Sequence, residues 1–214
     1  MALRLIPFAS KENKPDLWAP MGTGLQYYRK TLADFPHKPI LVPDAERVQE
    51  FRKKLAGLPG KKVGLCWRSM MLGAKRGKYF ASIENWGAVL KTPGVSFVNL
   101  QYGDCAAEIA RAREKFGVTI HQMEGLDLKQ DIDGAAALSA ALDLVLSAPT
   151  AAAHIAASVG APVWFLAVGR GWPQLGTDEY PWHANTRVFQ PVKFGDWDAV
   201  MPRFASELAM FAAQ

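Results

Sequence analysis

The sequence predicts an α/β protein, a Rossmann-like parallel sheet flanked by helices behind an irregular N-terminal lead-in, and three observations point to it. From Lys61 onward, short apolar runs suited to buried strands alternate with helical segments, the pattern of βα units on a parallel sheet. Half of the 214 residues are hydrophobic and 11% are aromatic, enough to bury a real core, though two full α/β domains would not fit comfortably in that length. Polar residues collect just beyond the predicted carboxyl ends of the strands, where open α/β sheets keep their crevice.

The first 60 residues stand apart. Pro7, Pro15, Pro20, Pro36, Pro39 and Pro43 break them up ahead of one clear helix, DAERVQEFRKKLAG (44–57). Asp44 is its expected N-cap, Val48, Phe51 and Leu55 share a face, and Gly57 stops it. Residues 1–60 are therefore read as a lead-in with a connecting helix, and residues 61–214 as the Rossmann-like domain.

Within that domain VGLCWRS (63–69) reads as the first strand and IENWGAVLK (83–91) as a helix stopped by Pro93-Gly94. VSFVNLQYG (95–103) is the second strand, and AAEIARAREKFG (106–117) a helix with Gly117 as its stop. VTIHQ (118–122) is a short third strand, DGAAALSAAL (133–142) a helix and DLVLS (143–147) the fourth strand. TAAAHIAASVG (150–160) is helical, APVWFLAV (161–168) is the fifth strand, and TRVFQP (186–191) suits a sixth. DWDAVMPRFASELAMFAAQ (196–214) closes the chain as an amphipathic helix whose acidic first turn suits its dipole, with Pro202 expected to kink it or delay its start.

Composition narrows the function classes. The net charge of +5 is uneven: residues 1–62 hold 12 Lys and Arg against 6 Asp and Glu, residues 63–214 hold 13 against 14. The basic front lacks the aromatic interleaving of single-strand binders and reads as a solvated surface, not a nucleic-acid groove. Cys66 and Cys105 belong to no paired-spacing motif, so buried thiols are expected in place of a disulfide framework or zinc site. No run of about 18 apolar residues is present, and the apolar patch at the N-terminus is too short for a secretory signal. The expectation is a cytoplasmic protein without a membrane span.

Several positions carry candidate chemistry. Thr150 opens a helix whose next residues, Ala151 to Ala153, are too small to shield their own N–H groups; free donors at a positive helix end make an anion site suited to a diphosphate. Thr150 Oγ1 can either cap the helix or donate to a phosphate oxygen, and a plain N-cap on a closely packed helix is the competing reading. His154, one turn in, reads as a core histidine or a ligand contact. Arg68, Lys75, Arg76 and Lys78 gather after the first strand, either as positive charge for that crevice or as a solvated loop. Gln101 and Tyr102 end the second strand, within reach of a bound nucleotide or sugar. Asp131 and Asp133 form a D-x-D, better explained as helix capping than as a metal site because neither has a further carboxylate at useful spacing. Trp172, Tyr180, Trp182 and His183 suit either a sugar-stacking rim or loop anchors. The dinucleotide G-x-G-x-x-G is missing after the first strand, and P-loop, G-x-S-x-G and H-E-x-x-H patterns are missing throughout.

The ordered set VGLCWRS, basic loop, FVNLQYGD, D-x-D before ALSAALDLVLS, and PTAAAHIAASVGAPVW resembles the C-terminal domain of heptosyltransferase-like glycosyltransferases. It resembles especially the bacterial kind fused to tetratricopeptide repeats and related to O-linked N-acetylglucosamine transferases. The resemblance covers roughly residues 40–200 and is most specific over Ala141 to Trp164. It implies one half of a GT-B fold that binds a nucleotide-sugar donor as substrate, with no metal and no cofactor. On this chain it implies diphosphate contacts at Arg68, Ser69, Arg76, Thr150, Ala151, Ala152 and His154, and nucleoside or sugar contacts at Gln101, Tyr102, Leu126 and Asp133. Two departures follow. Pro149 stands where such proteins usually carry Asp or Asn, and the general base, usually supplied by an N-terminal domain, is not assigned to any residue here. A missing N-terminal or repeat domain, or a partner subunit, would complete the enzyme; a non-catalytic nucleotide-binding or interaction module is the alternative.

Overall fold

The computed structural model describes residues 19–70 and 77–214. Residues up to Phe35 form one compact unit and Pro36–Gln214 another. In the first, a 3₁₀ turn at Met21–Gly24 runs into helix α1, Leu25–Tyr28, and a second turn follows at Leu32–Asp34. Asp34 accepts from the Thr31 amide (2.8 Å) and hydroxyl (3.0 Å), and these bonds hold its carboxyl below the usual carboxylate range.

The second unit is a six-stranded sheet, parallel throughout: β1 Lys61–Cys66, β2 Val95–Asn99, β3 Ile120–His121, β4 Leu144–Ser147, β5 Val163–Leu166 and β6 Thr186–Phe189. Its order, β3-β2-β1-β4-β5-β6, is that of the doubly wound Rossmann fold. The helices are α2 Ala45–Leu55, α3 Gly87–Leu90, α4 Ala106–Phe116, α5 Ile132–Ala140, α6 Ala151–Ser158 and α7 Trp197–Ala212. Successive strand residues point to opposite faces, so each strand feeds two cores. Val63, Leu65, Phe97, Leu144, Leu146, Trp164 and Leu166 pack with α3, α4 and α7. Cys66, Val98, Val145, Val163 and Phe165 pack on the other face with α2, α5 and α6.

The fold class and order of elements match the sequence reading, with shorter elements for local reasons. β1 ends at Cys66 because the Arg68 amide leaves the ladder for Gln101 Oε1 (3.0 Å). β2 ends at Asn99 because Asn99 Oδ1 takes the Gln101 amide (3.0 Å). Ser82 and Asn85 form a turn, with the Ser82 amide and hydroxyl each 3.0 Å from Asn85 Oδ1, so the helix expected over 83–91 shrinks to α3. α7 starts at Trp197 and continues through Pro202 without delay; Asp196 Oδ1 caps it at the Ala199 amide (3.3 Å).

The expected caps form elsewhere too. Asp44 accepts from the Glu46 and Arg47 amides (2.9 and 3.1 Å), and α2 packs Val48, Phe51 and Leu55 against the α5–α6 side of the sheet. Gly117 ends α4 at φ 68°, the left-handed conformation that favours glycine. Ile40 and Leu41 amides both donate to Ser158 O (2.9 and 3.0 Å), tying the approach to α2 onto the end of α6. No helix among the described residues is long and apolar enough to cross a membrane.

Candidate functional site

β1 and β4 lie side by side at the sheet centre, and the chain leaves them in opposite directions. In open α/β sheets such a switch point is where ligands bind, beyond the carboxyl ends of the strands. β4 delivers Ser147-Ala148-Pro149 to Thr150, whose extended backbone (φ −128°, ψ 171°) starts α6. Thr150 does not cap the helix with its side chain. The residue is 6% exposed, and its Oγ1 lies 3.5 Å from both Cys66 Sγ and Ser147 Oγ. The His154 amide is the first to bond back, to Thr150 O (3.2 Å). Among the described residues no acceptor takes the amides of Ala151, Ala152 or Ala153. The N-terminus of α6 is thus uncapped, with Ala151 exposed and Ala152 half-buried.

Arg68, two residues beyond the end of β1, is engaged by protein groups. Its Nε donates to both Glu108 carboxylate oxygens (2.8 and 2.9 Å), and its Nη2 bonds Glu108 Oε2 and Asp104 O, the latter at 2.9 Å. Trp67 Nε1 donates to Glu108 Oε1 at 2.8 Å. The Glu108 carboxylate holds the Arg68 guanidinium above the usual arginine range, and both side chains are largely buried. Ser69 contributes its carbonyl to Arg68 Nη1 (3.4 Å). Arg76, with Gly73 and Lys75, lies outside the described residues, and Lys78 lies over the Tyr79 and Phe194 rings.

Gln101 ties these parts together. It is 1% exposed, its Oε1 accepts from the Arg68 amide and from Cys66 Sγ (3.6 Å), and its Nε2 donates to Tyr102 O (3.1 Å). The amide is spent inside the protein, where it fixes the loop ends of β1 and β2. Burial pushes the Cys66 thiol up to about 11, so it stands under Thr150 as a neutral group.

Tyr102, Ala151 and Ala152 meet at one apolar cavity of about 160 Å³, lined also by Leu100, Leu128 and Ile132. A neighbouring polar cavity of about 390 Å³ shares Tyr102 and adds Gln101, Leu126, Asp104 and Asp127. Asp133 is exposed on the first turn of α5 and lines neither cavity. Asp131 caps α5 through the Gly134 amide (2.8 Å) and pairs with Arg47, so the D-x-D works as a cap. No group of three or more His, Cys, Asp or Glu side chains able to hold a metal ion occurs among the described residues.

His154 is held from the side. Its Nδ1 lies 3.0 Å from His183 Nε2, and its ring packs against Phe165 and Tyr180, which stack on each other at 4.3 Å. Burial lowers both histidines, and burial together with His154 takes His183 down to about 4. His183 was expected on a sugar-stacking rim or as a loop anchor, and neither its pairing with His154 nor the part of Glu108 was foreseen from the sequence. Trp172, 78% exposed, meets Trp182 edge-on at 6.0 Å.

No protein-family model matches the chain. Over 212 residues, 98% of its length, it is 44% identical to Protein FlbA of Caulobacter vibrioides, of which it spans 36%. Among solved structures it is similar to E. coli ADP-heptose lps heptosyltransferase II, with TM-score 0.59 and 17% identity over 87% of this chain and 58% of that one. It is also similar to E. coli heptosyltransferase WaaC with ADP, with TM-score 0.55 and 17% identity over 82% and 51% of the two chains. A third is the glycosyl transferase family 9 structure from Veillonella parvula, with TM-score 0.55 and 15% identity over 82% and 52%. The chain spans about half the length of these structures and about a third of the curated relative. At these identities the structural likeness is one of fold, and the fold is glycosyltransferase-like.

Proposed function

We propose that this chain is the nucleotide-sugar-binding half of an inverting glycosyltransferase that holds its donor without a metal ion. In this reading an acceptor hydroxyl attacks the anomeric carbon, the glycosyl–phosphate bond breaks, and the nucleoside diphosphate leaves with the bonding electrons. The attacking hydroxyl's proton passes to a base outside the residues described. The open amides of Ala151 and Ala152 at the positive end of α6 meet the departing charge, and this is the observation that carries the reading. The apolar cavity beside those amides suits a nucleobase between Tyr102, Leu100 and Leu128. Thr150 and His154 shape the turn, Arg68 and Ser69 follow the end of β1, and Leu126 and Gln101 line the polar annex, with Asp133 as an outer contact. The acceptor site would come from further sequence, such as an N-terminal or repeat domain, or from a partner subunit.

One similar structure holds ADP, which makes ADP the first probe. Calorimetric titration of the chain with ADP, UDP and GDP in the presence of a chelator should give saturable one-site binding for one of them. A 100-fold excess of that ligand over its dissociation constant should stabilise the chain by about 2.7 kcal/mol. Absence of binding by all three sinks the reading. The engagement of Arg68 by Glu108 favours a second reading, a nucleotide-binding module without turnover, because the guanidinium is already neutralised. Binding of the nucleotide sugar with neither hydrolysis nor transfer would select it.

A further inference from the structure

Of the four side chains after β5 that suit either a sugar rim or loop anchors, three are used as anchors. Tyr180 is buried and stacks on Phe165, Trp182 Nε1 donates to Pro173 O (2.7 Å), and His183 bonds His154. Trp172 is left over. It is 78% exposed, it meets Trp182 edge-on, and among the described residues nothing accepts from its indole N–H. The backbone that carries it, the 3₁₀ turn Trp172–Gln174, is nevertheless fixed. The Gly171 amide donates to Gln174 Oε1 (3.0 Å), and Gln174 is buried, with its Nε2 donating to Thr177 O (3.3 Å). Thr177 Oγ1 donates back to Gln174 O (2.7 Å), and Arg170 bonds Gly176 O (3.2 Å) and pairs with Asp178. Leu175 closes the turn at φ 50°, a left-handed conformation that a leucine keeps only where its surroundings hold it there.

None of these bonds uses the indole, so the turn is built without Trp172 and presents its ring to water. A lone exposed apolar side chain needs no explanation, but a strained, hydrogen-bonded turn that presents one does. The ring that fits is one with an apolar face and a polar edge. A pyranose lays its axial C–H groups on an indole and hydrogen-bonds through its hydroxyls, and the loop supplies both kinds of contact. The indole gives a face and a free N–H, and Arg170 and Asp178, both exposed on the same loop, give further donors and acceptors. A protein partner calls for a wider apolar core than one indole and the neighbouring Leu175 provide. The loop leaves the carboxyl end of β5, the edge of the sheet from which α6 also starts. We propose that Trp172 is a stacking platform for a pyranose ring, either the sugar of the nucleotide donor or a sugar of the acceptor. The stacking stands on the loop alone; its part in glycosyl transfer rests on the function proposed above.

Proton–nitrogen spectra of the ¹⁵N-labelled chain, titrated with cellobiose, ADP-glucose and ADP, test the platform. Cellobiose offers free pyranose rings with axial C–H faces, ADP-glucose offers one on a nucleotide, and ADP is the control without the sugar. The indole N–H of Trp172, identified among the seven tryptophans by its loss in Trp172→Ala, should shift with at least one of the two sugars. A shift with cellobiose marks an acceptor sugar; a shift with ADP-glucose beyond that with ADP marks the sugar of the donor. Binding of whichever sugar moves the peak should weaken about tenfold in Trp172→Ala and stay within about threefold of wild type in Trp172→Tyr, which keeps a stacking face. Because the side chain is exposed, both variants should unfold at the wild-type temperature. An indole peak unmoved by either sugar at millimolar excess, or sugar binding unchanged in Trp172→Ala, overturns the platform. So does self-association in sedimentation that Trp172→Ala abolishes, which makes the ring an interface between copies of the chain. A shift with cellobiose in a chain that binds none of ADP, UDP and GDP overturns the proposed function and leaves the platform standing.

Discussion

At Ala151 and Ala152 the lack of side-chain bulk is what leaves the first amides of α6 open, since Thr150 turns its hydroxyl inward to Cys66 and Ser147. This makes stability and binding separable at a single residue. Ala151→Asp places a carboxylate at the positive helix end and should stabilise the fold by about 0.3–1 kcal/mol. The same charge should weaken nucleoside diphosphate binding by at least about tenfold through repulsion and occupation of the amides. Thermal unfolding and calorimetry on one preparation check both, and tighter or equal binding contradicts the anion site. The open helix end was legible from the run of alanines after Thr150. The settings of Arg68 and Gln101 were not, because Glu108 and the Arg68 amide reach them only after the sheet has brought residues 33 to 40 positions apart into contact. The same holds for His183, 29 positions from His154 on an irregular loop where no periodic signal exists.

Between elements, the bond most exposed to test joins α2 to the start of α5. Arg47 Nη1 donates to Asp131 Oδ1 (2.9 Å), Nη2 bonds Oδ2, and Asp131 caps the Gly134 amide. The Arg47 guanidinium, then the Gly134 amide, hold the Asp131 carboxyl down at about 2. A carboxylate depressed in the folded state stabilises the fold above its unfolded value, near 3.9, and loses that contribution as pH falls through about 2. Asp131→Ala should cost about 0.5–2 kcal/mol at pH 7 and flatten the acid limb of the stability curve between pH 4 and 2. An unaltered acid limb in chemical denaturation would show that the pair is idle. Helix existence and caps at Asp44, Asp131 and Gly117 were readable in the sequence because each rests on local chemistry. Element ends were read too long wherever a side chain draws the backbone out of register, as Gln101 does at the end of β1 and Asn85 ahead of α3.

For the whole molecule, the β3-β2-β1-β4-β5-β6 order follows from right-handed crossovers laid first to one side of β1 and then to the other. The apolar strands showed a parallel sheet buried on both faces, and the two cores bear out that pattern. The switch point between β1 and β4 is what turns a string of weak local signals into one crevice, with an uncapped helix end, an apolar cavity and a polar annex at the same edge. That convergence is the core of the functional reading, and amide resonances report on it directly. In a proton–nitrogen spectrum titrated with ADP, the amides of Ala151 and Ala152 should move downfield and saturate together with Tyr102, while adenosine, which carries no phosphate, should not reproduce the downfield shift at those two amides. Saturable ADP shifts that leave the α6 amides unmoved would contradict it.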